Sequence, residues 1–165
     1  MVEPWMSGSL GEVHAVLRAV LHSFEHAKLD LTACTEGLTT EQLWTTDLGV
    51  APIGFHLRHI PGSVDRLFTY ACGEMLNDEQ LAFLREEGIP GEGRDELLAK
   101  LSATLDRIAA GVRAIDPATL TEARTVGRKK LPTSLAGLLI HIAEHTQRHV
   151  GQAVTTALVL KRRIG

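Results

Sequence analysis

The sequence predicts an all-α fold, a four-helix bundle forming a single domain over residues 1–165. Three observations carry that prediction. Four long segments repeat apolar residues at spacings of three and four, the period of a helix with one buried face. No segment shows the alternation of a half-buried strand. A length of 165 residues is enough to bury one core without help from a second domain.

The first segment runs from about Ser9 to Cys34, with Leu10, Val13, Leu17, Val20, Phe24, Ala27 and Leu31 on its seam. Ser9 is placed to cap its start, and Glu12 three residues on would complete a capping box. His22 and His26 lie four apart but project away from the seam on a helical wheel, which assigns them to solvent or to a subunit contact. Gly37 stops this helix, and Thr39 to Trp44 reads as a short capped turn with Trp44 plugging one end of the bundle. The second helix covers Ile53 to Cys72, its apolar set being Ile53, Leu57, Ile60, Val64, Leu67, Phe68 and Ala71. Pro61-Gly62 lies inside it, removes a backbone hydrogen bond to Leu57 and predicts a kink. The connector from Glu74 to Gly93, with a short helix from Asp78 to Leu84, is long enough to run the length of a bundle. It lets the third helix, Arg94 to Ile115, lie parallel to the second. Asp116-Pro117 ends that helix, and a connector follows whose Arg124, Arg128, Lys129 and Lys130 read as a solvated basic loop. Thr133 or Ser134 caps the fourth helix, which reaches about Lys161.

Composition narrows the function classes. A net charge of −3 argues against a nucleic-acid surface. No apolar run approaches the roughly 20 residues that cross a bilayer. The N-terminus has no basic patch leading into an apolar core, so no export signal is expected. Cys34 and Cys72 form no motif, and the expected setting is the cytoplasm, where both stay reduced.

The chemistry-bearing stretch is His141 to Gln152, in which His141, His145 and His149 recur at intervals of four. Each step of four moves up a helix and only slightly around it, so successive rings share a face. His149 falls near the centre of the stripe made by Leu135, Leu138, Leu139, Ile142, Ala153, Ala157 and Leu160, with His145 on its flank and His141 further round. A neutral imidazole facing inward needs a partner, and a metal ion is one. Two imidazoles rarely suffice, so a third ligand must come from another helix. His56 and His59 precede Pro61 on the second helix. The wheel slightly favours His56, but the proline disturbs the phase, and both stay open. Gln152, about one turn beyond His149, is placed to orient a water or ligand, and Tyr70 to line a pocket floor. Glu144 and Asp65 are poorly placed as a catalytic acid or base, and Arg148 would hold an anionic substrate only if it reaches the pocket mouth.

The segment His56-Leu57-Arg58-His59-Ile60-Pro61-Gly62-Ser63, with His145-Thr146-Gln147-Arg148-His149-Val150-Gly151-Gln152, resembles the DinB-like family of metal-dependent enzymes. The connector Gly37 to Trp44 is similar to that family's first connector, and the resemblance extends over nearly the whole chain. It implies a bundle of up-down-down-up order and one divalent metal ion, nickel or zinc, on three histidines. Those histidines map onto His59, His145 and His149, leaving His56 and His141 as neighbours of the pocket. Pro61 departs from the family pattern, which favours small helix-forming residues there. The implied activities are transfer of a low-molecular-weight thiol or metal-assisted hydrolysis of a small molecule. The rival is a non-catalytic bundle that binds a metal or small molecule, or a structural dimer. The expected partners are a small-molecule substrate and a second copy of the chain, with no nucleic acid and no membrane.

Overall fold

Apolar stripes at helical spacing become four long helices in a computed structural model that describes residues 3–164. They are α1 (Ala15–Cys34), α3 (Ile53–Ala71), α5 (Arg94–Arg113) and α6 (Leu135–Ile164), with short helices α2 (Thr40–Leu43) and α4 (Asp78–Glu86) in the connectors. Helices α1 and α3 each pack against both α5 and α6, so every long helix borders two others. The shared core takes Leu21 and Leu31 from α1, Leu57 and Ile60 from α3, Leu101 and Leu105 from α5, and Leu139 and Ile142 from α6, all essentially inaccessible. Burying each such side chain stabilises the fold by about 1.5–3 kcal/mol relative to exposure.

Three local expectations are corrected. Helix α1 begins at Ala15, not near Ser9. His14 is its N-cap, with Nδ1 accepting from the Val16 N–H at 3.3 Å. Gly8 and Leu10 both have positive φ, which breaks the backbone upstream, and the Ser9 N–H bonds to Ser7 rather than starting a helix. His22 is buried at 6 % exposure and pairs with Glu25, so it is not on a solvated or partner-facing surface. Because α1 is flanked by two helices, its covered arc is wider than its apolar seam. Finally, the connector before α6 contains an antiparallel hairpin of β1 (Ala123–Val126) and β2 (Leu131–Ser134). Strands of four residues are too short for alternation to register, and Pro132 obscures the second further. The hairpin also removes Arg124 from the basic loop: its Nε donates to the Ala71 carbonyl at the end of α3.

Capping elsewhere follows the sequence. Thr39 with Gln42, and Asn77 with Gln80, form complete capping boxes on α2 and α4. Of the two candidates for α6, Ser134 accepts from the Gly137 N–H. Helix α3 is continuous through Pro61. Trp44 is buried, donates Nε1–H to the Glu92 carbonyl and lies under the Arg58 guanidinium at 4.7 Å.

Candidate metal centre

On α6, His145 and His149 are one turn apart on the side that meets α3, and α3 brings His59 to them. One nitrogen from each of the three rings lies within 4.8 Å of the other two. His59 Nε2 is 3.1 Å from His145 Nε2, and the His149 ring centroid is 4.4 Å from that of His59 and 4.5 Å from that of His145. His56 occupies a different place. It is the more deeply buried histidine of α3, as the wheel suggested, but its Nδ1 meets His149 Nδ1 at 3.0 Å, outside the convergent set.

The ring of His59 is fixed by a residue that periodicity could not reveal. Its Nδ1 donates to Glu87 Oε2 at 2.7 Å, and Arg66 donates to Glu87 Oε1 at 2.6 Å. Both Glu87 and Arg66 are buried. Glu87 follows α4 in the long connector, and Arg58 clamps that connector by donating to the Glu86 and Ile89 carbonyls on either side of it. Gly62 makes the approach possible, because a Cβ there would stand 2.6 Å from Glu87 Oε1 and 2.5 Å from the Phe83 ring. With Nδ1 committed to a carboxylate, His59 turns Nε2 toward the other rings, the arrangement by which outer carboxylates orient metal-binding histidines. Phe55 stacks on His59, with centroids 5.1 Å apart.

Electrostatics favour uncharged rings. Burial, then the neighbouring His149, lowers His145 to a pKa of about 4. Burial, then His59, does the same to His149, and also to His56. At neutral pH these imidazoles keep a lone pair each. The contact between His56 and His149 then needs one donor and one acceptor, which ties the two tautomers together. His145 Nδ1 is buried without a hydrogen-bond partner. Zinc sits about 2.0–2.1 Å from imidazole nitrogens, and nitrogens this close together fit one such ion after small ring adjustments. The 3.1 Å contact between His59 Nε2 and His145 Nε2 holds one proton in the neutral pair, and a bound cation would take its place.

The remaining sequence-predicted residues are dispersed. His141 bonds to Glu144 at 2.7 Å, its ring 5.4 Å from that of His145. Gln152 is exposed and lines a cleft of about 690 Å³ whose wall includes Phe55, His56, Arg148 and His149. Tyr70 is buried in the core and does not line that cleft. Asp65 is held by Arg107 and Gln80, and Glu144 is on the surface.

The sequence has no match among curated proteins. A similar solved structure is that of YfiT from Bacillus subtilis, described as "a probable metal-dependent hydrolase with an unusual four-helix bundle topology". It aligns at a TM-score of 0.64 with 18% identity, over 90% of this chain and 87% of that one. That likeness establishes a common fold. The sequence itself matches the DinB superfamily over residues 23–153, a span containing all three converging histidines. The chain therefore belongs to the DinB superfamily.

Proposed function

We propose that this protein is a metal-dependent enzyme in which His59, His145 and His149 hold one divalent cation, zinc or nickel, beside a small-molecule cleft. In this reading the long helices run up-down-down-up, with the connector carrying Glu87 as the crossover. The observation that carries it is the convergence of three imidazoles from two helices, one of them oriented by a buried carboxylate. A cation on three neutral ligands keeps its full charge and an open position, so it supplies Lewis acidity and makes a water or thiol there far more acidic.

The chain's own residues do the rest. Glu87 and Arg66 hold His59 in one tautomer, and His56 couples its own tautomer to that of His149. Phe55 stacks on His59 and forms part of the cleft wall beside it. Two reactions suit the site. The description of YfiT favours hydrolysis. The cleft lining contains no carboxylate to serve as a base, which favours a nucleophile that ionises readily, a low-molecular-weight thiol.

Elemental analysis of protein purified without an affinity tag tests the centre. About one equivalent of metal is expected, falling at least tenfold in His59→Ala, His145→Ala and His149→Ala and largely retained in His56→Ala. Metal content unaltered in the three variants would sink the assignment. Turnover of model electrophiles with thiols, compared with ester hydrolysis, then separates transfer from hydrolysis.

A further inference from the structure

The cleft beside His149 carries a second piece of information, the sign of charge it accepts. Its lining is mostly apolar or neutral, with Val50, Ala51 and Phe55 on one side and Gln152, Thr155 and Thr156 on the other. Arg148 is the one formally charged side chain among the lining residues. It is one residue before His149 on α6 and is weakly engaged. Its contact is Glu144 Oε1 at 3.5 Å, the limit of a hydrogen bond, and that same oxygen already takes His141 Nδ1 at 2.7 Å.

The other large cavity, about 650 Å³ between α3, α4 and α5, is different. It is lined by Arg66, Lys100 and Arg107 against Asp65, Glu74 and Glu79, a balance that selects no sign. In the cleft by His149 no lining residue is acidic, and the one carboxylate that touches Arg148, Glu144, lies outside the lining.

We infer that the substrate of this centre is a small organic anion, its apolar body seated against Phe55, Val50 and Ala51 and its carboxylate paired with Arg148. The inference rests on reading the cleft as the substrate site of the proposed metal centre. A guanidinium offers a planar carboxylate two parallel N–H donors, and Arg148, exposed at the cleft, is free to present them while the apolar walls take the body of the molecule. The same arrangement disfavours cationic molecules, which would meet a like charge and no acidic lining residue. Arg148 is in this sense a specificity residue. It orients the bound molecule and touches none of its reacting atoms.

The test compares phenylacetate with its isosteric neutral amide, phenylacetamide, by calorimetric titration of the full-length chain stripped of metal. Removing the metal prevents the carboxylate from simply ligating an ion. Wild-type protein is expected to bind the acid about tenfold more tightly than the amide, the scale of one charge-assisted pair. Arg148→Ala should lose that advantage with amide affinity unchanged, and Arg148→Lys should keep part of it. Equal affinities in wild type, a preference that survives in Arg148→Ala, or binding of neither probe overturns the inference. The metal reading fails by another route, absence of metal from the purified protein, so the two failures are distinguishable.

Discussion

At the scale of single residues, Glu87 separates this site from a chance meeting of histidines. It bridges 28 positions of sequence to reach His59, and it does so from a connector rather than a helix. Helical periodicity describes where a side chain points around its own axis, and it is silent about where a loop crosses a neighbouring helix. The residue was therefore hidden, although His145 and His149 were plain from their spacing. Arg58, Arg66 and Gly62 all serve this one carboxylate, through a clamp, a counter-charge and a vacated Cβ position. Glu87→Gln should keep a hydrogen bond to His59 but remove the charge that strengthens it. We expect metal affinity to fall by about 10-fold or more, read by competition with a chromophoric chelator. Arg66 would also lose its anionic partner, and stability should fall by about 1–3 kcal/mol. Unchanged affinity in a folded Glu87→Gln variant would mean that His59 needs no such support.

At the scale of elements, α3 carries the most constraints. Its first turn must leave room for Trp44, since a Cβ on Gly54 would lie 2.5 Å from the indole ring. That ring is buried, donates to Glu92 and carries the Arg58 guanidinium, so it has little freedom to retreat. Gly54→Ala is expected to destabilise the fold by about 1–3 kcal/mol in urea denaturation, the usual cost of overpacking. A midpoint equal to wild type would show that Trp44 moves freely. The helix continues across Pro61, and His59, two residues before it, still reaches the α6 pair. The hairpin before α6 went unread for a physical reason. The first strand does alternate exposed and half-covered residues, but over only four positions and with Arg124 on the covered side, so hydrophobicity does not mark the two faces.

At the scale of the whole molecule, three histidines held near pKa 4 make the fold sensitive to acid. As pH falls through about 6.5 the unfolded chain binds protons at these positions, whereas the native rings resist protonation until near 4. The unfolded state thus binds more protons across that window, and stability drops with falling pH. Thermal denaturation in chelator should show a midpoint that is flat above neutrality and declines toward about pH 5, by roughly 2–4 °C for each kcal/mol lost. A midpoint unmoved over that range would contradict buried, uncharged rings. Bound metal should raise the midpoint and deepen the decline, because protons compete for the same nitrogens. The sequence by itself determined the four long helices and the pairing of His145 with His149, because both follow from the 3.6-residue period of a single helix. Periodicity left the choice between His56 and His59 open, which the family resemblance alone resolved toward His59; it placed His22 on the wrong side and missed Glu87. Those outcomes depend on which helices lie beside one another and where a connector crosses them, and only the packed tertiary structure decides that.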